Sequence, residues 1–181
     1  PYLNDSVYYS KNYIDYKVLD NGPLRTSFTL IYNEWKVGNQ NIKVEKTITL
    51  DAGDWFNKID VSYTGNNVKN FPVAAGIIVR PEPGIKYLNE QDGILSYWEP
   101  EHGIDGVTAV ACIFPTSVKM SEIKGQLLAT TNTNTAGKIT YHIGATWNRQ
   151  GSFINNNDWI KYVQNYKESL VSKILVEAKS N

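Results

Sequence analysis

The sequence predicts an all-β, antiparallel β-sandwich with one short helix near the C-terminus, and three observations carry that expectation. Apolar and polar residues alternate with a period of two over several segments closed by Gly, Pro, Asn or Asp. Two other segments are apolar on both faces, and only the tail shifts to a period of three and four. A chain of 181 residues with 41% hydrophobic content can bury a substantial core, so residues 1–181 are expected to form one sandwich domain.

Residues 24–32 set Leu24, Phe28, Leu30 and Tyr32 on one side and Arg25, Ser27 and Thr29 on the other, as in a half-buried strand. In the next segment Ile42, Val44, Ile48 and Leu50 oppose Lys43, Glu45, Thr47 and Thr49, and the turn residues at 38–41 make the two a hairpin. After a turn at 51–54, residues 55–63 group Trp55, Ile59, Val61 and Tyr63. Segments 73–79 and 107–114, apolar throughout, are expected to be central strands covered on each side. Short strands at 94–98, 117–122, 124–131 and 138–147 bring the expected total to about ten. Trp159, Tyr162, Val163, Tyr166 and Leu170 then recur at helical spacing, with Asn157 or Asp158 as the cap. Beyond them Ile174, Val176 and Ala178 alternate as in an edge strand. No repeat of 20–50 residues is present, which argues against propellers and solenoids.

Eighteen basic residues balance eighteen acidic ones, so the chain lacks the field that drives nucleic-acid binding. No apolar stretch approaches the ~20 residues that span a bilayer. The chain begins at Pro1 without a signal-like segment and reads as a processed piece of a longer protein. Cys112, the single cysteine, lies in an apolar run and reads as a small buried hydrophobe. Motifs for phosphate, dinucleotide, zinc-protease and serine-hydrolase chemistry are absent, so the sequence implies no cofactor. Asp51, Asp54 and Asp60 only weakly suggest a calcium corner, because hairpin turns favour Asp anyway.

Twelve Tyr and five Trp supply flat amphipathic rings that line sugar sites and also fit pleated sheets. Two polar clusters are candidates for a site. In residues 96–106, Trp98 offers a stacking face, Glu99 and Glu101 offer carboxylates, and His102 offers an imidazole; the alternative is a solvated loop with Trp98 tucked beneath. In residues 138–151, Ile139, Tyr141, Ile143, Ala145 and Trp147 share one face, and Lys138, Thr140, His142 and Thr146 the other. Gly144 clears space beside His142 for a ligand or another backbone, while the plainer reading hydrogen-bonds His142 to a neighbouring strand. Lys46 interrupts the apolar face of 42–50, which requires a carboxylate partner or an opening into a cleft. Arg25 and Arg80 are each suited to a bidentate grip on a uronate or sulfate, or to an internal salt bridge.

The succession of residues 21–35, the paired segments 44–65, residues 74–80, the Trp98 segment 95–100 and residues 141–163 resembles the C-terminal part of an uncharacterised domain family, found mostly in Bacteroidetes. The resemblance runs from about Tyr13 to Val176 and implies a galactose-mutarotase-like supersandwich, exported to the periplasm or medium, in proteins that degrade polysaccharide. It also implies joining to glycoside hydrolases and a set of N-terminal strands lying outside this chain. Carbohydrate binding or processing is the resulting expectation. Trp98 or Trp147 would stack on a pyranose, and Arg25 or Arg80 would meet an acidic group. In the catalytic version, mutarotase or lyase in type, Glu99 or His142 is the base and His102 or a Tyr the acid. The competing expectation is a noncatalytic module that packs against a glycoside hydrolase.

Overall fold

The computed structural model describes residues 1–172, so the edge strand expected at 174–178 lies outside the described residues. A two-stranded ribbon, β1 (Tyr2–Leu3) and β2 (Ser6–Val7), precedes the main sheets. The large sheet has eight antiparallel strands: β3 (Tyr13–Asn21), β4 (Arg25–Val37), β5 (Gln40–Asp51), β6 (Phe56–Thr64), β8 (Ile85–Asn89), β9 (Ile94–Trp98), β10 (Thr108–Ile113) and β13 (Lys138–Trp147). Their spatial order is β3-β4-β5-β6-β13-β10-β9-β8, so β13 crosses back to sit between β6 and β10. The small sheet is β11 (Lys119–Ile123), β12 (Gln126–Asn132) and β7 (Pro72–Ile78), in that order.

The two sheets stack as predicted, because period-two alternation gives the large sheet an apolar inner face. Leu95, Tyr97 and Cys112 meet Leu127 and Ala129 of the small sheet, while Ile42, Val44, Ile59 and Val61 meet Val73. Burial pushes the Cys112 thiol up to about 12, which fits a packing role. The opposite face of the large sheet carries the helix α1 (Asn156–Val171), seated on β9 and β10. Its Trp159 and Val163 are fully buried against the sheet, and the Trp159 ring lies 5.7 Å from Phe56 at 7°. Trp159 Nε1 donates to Ser96 Oγ at 3.0 Å, and that hydroxyl donates to the Val110 carbonyl at 3.0 Å. The buried indole therefore keeps a polar partner.

Several elements depart from expectation, each for a local reason. The helix cap is Asn155 rather than Asn157 or Asp158; its Oδ1 accepts from the Asp158 amide at 3.1 Å. Trp55 precedes β6 and turns with Phe56 toward the helix, leaving only Ile59, Val61 and Tyr63 in the inner core. Over residues 24–32 the alternation is shallower than predicted: Ser27 is the buried residue, bonded to Asp20, and Leu24 before β4 is 78% exposed. β7 is an edge strand of the small sheet, not a central one, and Ile78 is 73% exposed. An apolar run specifies burial only if both neighbours exist, and β7 has one. β10 does occupy the covered central position. β3 and β8, unforeseen, are the two edges of the large sheet; β3 is exposed at every position and so carries no alternation to read.

Because Trp159 anchors α1 both by stacking and by a hydrogen bond, Trp159→Phe is expected to lower stability by about 1–3 kcal/mol, from the lost indole volume and the lost bond to the Ser96 hydroxyl. Urea unfolding should show a lower midpoint with an unchanged slope.

Candidate functional site

The C-terminal half of α1 leaves a cleft of about 320 Å³ on the outer face of the large sheet. Strands β5, β6 and β13 contribute Thr49, Lys58 and His142, the turn before β6 contributes Asp54, and the helix contributes Tyr166 and Ser169. Register creates this grouping: His142 on β13 faces Lys58 on β6, and Thr140 faces Asp60 two residues along. Lys58 Nζ lies 2.9 Å from Asp60, whose carboxylate also accepts from Thr140 Oγ1 at 2.5 Å. Burial alone would raise the Asp60 carboxyl, yet the bonds from Thr140 and Lys58 and the ammonium charge hold it below the usual range.

His142 does project from the polar face, but the helix shelters it to 6% exposure. Its ring meets the Tyr166 ring edge-on at 5.7 Å, and Nδ1 is buried with no hydrogen-bond partner among the described residues. The plainer reading, a histidine bonded to a neighbouring strand, is therefore not what the fold does at Nδ1. Burial, reinforced by Lys58, lowers the His142 pKa, so the imidazole is neutral near pH 7 and able to accept a proton. Tyr166 is pushed up to about 12, mainly by burial, so it keeps its proton and can donate it. Asp54 is raised by burial and by Asp51. Gly144 serves packing: a Cβ there would lie 2.6 Å from the Trp55 carbonyl oxygen and 2.9 Å from the Phe56 ring, so the close neighbour is protein rather than ligand.

The remaining predicted residues lie elsewhere. Glu99 accepts from Arg80 Nε at 3.1 Å and sits 3.5 Å from His102 Nε2, making an Arg80–Glu99–His102 chain at the far end of β13. The Glu99 amide donates to Thr108, which pairs with Trp147, five residues from His142; at ~3.4 Å per residue the two groups are about 17 Å apart. Glu99 and His102 therefore do not share a site with His142. Trp98 is buried in the core under the helix and offers no face for stacking, as the tucked-loop alternative had it. Trp147 is 46% exposed, with Nε1 donating to the Asp105 carbonyl at 2.6 Å, and Glu101 is exposed. Arg25 grips Asp51 through two bonds of 2.6 and 2.8 Å, so both arginines form internal ion pairs. Asp51 and Asp60 are thus engaged by cations, and no group of three or more His, Cys, Asp or Glu suited to a metal occurs among the described residues. Lys46 lines a separate cavity between the sheets.

Lys58, Tyr166 and Ser169 were not anticipated as site residues. Tyr166 carried only a helix-core signal, and Lys58 becomes a neighbour of His142 only through the β6–β13 register.

A lowered histidine pKa has a definite sign. Above about pH 6.5 the imidazole is neutral in both states; as pH falls below that, the unfolded chain takes the proton first and folding stability drops. Denaturant titrations from pH 8 to 5 should show this loss in the wild type and a shallower one in His142→Gln.

Residues 2–176 match the family described as a domain of unknown function, DUF4861. The Uncharacterized protein P7 of Formosa agariphila is 29% identical over 176 residues, which cover 93% of this chain and 43% of that protein. The chain thus spans less than half the length of this relative. No helix among the described residues is long and apolar enough to cross a membrane. With the match extending over nearly every residue of the sandwich and its helix, the chain belongs to the DUF4861 family.

Proposed function

We propose that this domain binds an acidic carbohydrate in the cleft between β5, β6, β13 and the end of α1, as part of an exported protein that degrades polysaccharide. The observation that carries the reading is a neutral, sheltered imidazole with a free Nδ1, set in one cleft with an ammonium, a raised carboxyl, a protonated phenol and hydroxyls. Lys58 supplies the charge for a uronate, Thr49 and Ser169 supply hydroxyls for sugar oxygens, and the Tyr166 ring gives an apolar wall. A large sheet carrying the cleft and backed by a smaller sheet also supports the galactose-mutarotase-like arrangement that the sequence resemblance implies.

The same groups suit proton transfer. In β-elimination His142 takes the proton from the carbon next to the uronate carboxyl. The electron pair then forms the ring double bond as the bond to the leaving oxygen breaks, and Tyr166 protonates that oxygen. Proton return from His142 to Tyr166 through solvent closes the cycle.

A second reading, an interaction module packed against a glycoside hydrolase, is favoured by β3. This edge strand exposes Tyr13, Ile14, Tyr16, Val18 and Leu19, and such edges pair readily with another chain or segment. Titration with neutral and acidic oligosaccharides, followed by tryptophan fluorescence, separates the two. Saturable binding of an oligouronide, weakened about tenfold or more by Lys58→Ala, is expected, since a charge-assisted bond contributes about 1.5–3 kcal/mol. No saturable response to any sugar would leave the interaction module. For catalysis, the absorbance of an unsaturated uronate should rise with wild type and fail to rise with His142→Ala; equal rates would remove His142 from the chemistry.

A further inference from the structure

We propose that the cavity between the two sheets is a second ligand site, independent of the outer cleft, which binds a small carboxylate carried on a single ring. It encloses about 190 Å³ on the inner face of the large sheet, on the side opposite His142. Lys46 projects into it from the middle of β5, flanked on its own face by Val44 and Ile48 and paired across the sheet with Leu30 and Val61. None of the ion pairs among the described residues includes Lys46. Its ammonium meets only the Tyr32 ring, 5.6 Å from the centroid. A cation on an apolar face without a counter-ion is costly, and an anionic ligand is the partner that offsets this cost.

A second observation points the same way. Trp35 lines the same cavity, and its Nε1 is buried without an acceptor. Two residues of the cavity wall therefore carry donors without an acceptor, an ammonium and an indole N–H, and a carboxylate has oxygens for both. Tyr32, Tyr63 and Tyr141 give the remaining wall flat aromatic character, which suits a ring. The volume is below that of drug-sized sites and admits one ring rather than an oligomer. Two sources offer this chemistry, a sugar acid and an aromatic acid.

Calorimetric titration of the chain with glucuronate and with 4-hydroxybenzoate tests the assignment, with acetate, methyl glucoside and phenol as controls. One-to-one binding of at least one ring acid is expected, with acetate and the neutral rings about tenfold weaker or more. Whichever acid binds identifies the source. Lys46→Met should weaken binding by about tenfold or more, Trp35→Phe by a few-fold, and Lys46→Arg should retain it. Lys46→Met removes a half-buried charge that has no ion-pair partner among the described residues, so its urea midpoint should equal or exceed that of the wild type. Equal binding of the neutral rings, no binding by either acid, or binding that survives Lys46→Met but falls in His142→Ala would overturn the inner site. The last outcome would place the ligand in the outer cleft, so failure here and failure of the carbohydrate reading are distinguishable.

Discussion

The seating of one indole holds the outer site together. Trp159 is fully buried, stacked on Phe56 and bonded to Ser96, and this contact fixes where α1 crosses the large sheet. Two turns later the same helix brings Tyr166 over Phe56 at 4.5 Å and against His142 at 5.7 Å. Lys167 then caps the Phe114 and Pro115 carbonyls at 2.7 and 2.8 Å, tying the helix to the end of β10. Without the anchor His142 would be a solvent-exposed strand residue with an ordinary pKa; with it, the imidazole is desolvated and held in its basic form. The cleft is a consequence of where the helix stops, because Ser169 and Leu170 of its last turns form one wall.

The large sheet separates two chemistries by the alternation of its strands. On β5 and β6 the outward side chains include Thr49, Lys58 and Asp60, while the inward ones include Val44, Ile59 and Val61. On the outer face Lys58 pairs with Asp60 and Arg25 with Asp51. Lys46, the inward lysine of β5, has no such partner among the described residues. Only two buried side-chain nitrogens or oxygens among the described residues lack a hydrogen-bond partner, Trp35 Nε1 and His142 Nδ1, and they fall one on each face. Buried polar atoms are nearly always satisfied in native proteins, so the two exceptions mark the places where the fold carries an unmet demand.

What the sequence could reveal followed from what is local. Alternation in 42–50 and 138–147, the turn residues between strands and the helical spacing of Trp159 and Val163 are local signals, and each led to the right element. The exposed edge β3 has no buried face and left no pattern, and β7 looked central because small apolar residues also suit a closely packed edge. The candidate residues were legible one at a time and not as a set. His142, Glu99 and His102 all had suitable chemistry, but register and strand length decide which of them can meet. His142 gains Lys58 across the strand pair and Tyr166 from a helix, and neither neighbour is near it in sequence.

The Arg80–Glu99–His102 chain then has a different explanation. Around it, Trp147 Nε1 bonds to Asp105, Arg149 donates to the Gly103 carbonyl at 3.2 Å, and Asn148 Oδ1 accepts from the Val107 amide at 2.9 Å. These contacts close the 99–107 loop against the end of β13, where two glycines with positive φ, Gly103 and Gly106, turn the backbone. Glu99, only 12% exposed at its side chain, accepts from Arg80 and lies 3.5 Å from His102 Nε2 at the foot of that loop. A carboxylate shared in this way is occupied by its neighbours, which suits it to fastening a loop. The apparent sugar-site toolkit of residues 96–106 is thus a latch. In the strand pair, by contrast, His142 Nδ1 is buried with no hydrogen-bond partner among the described residues.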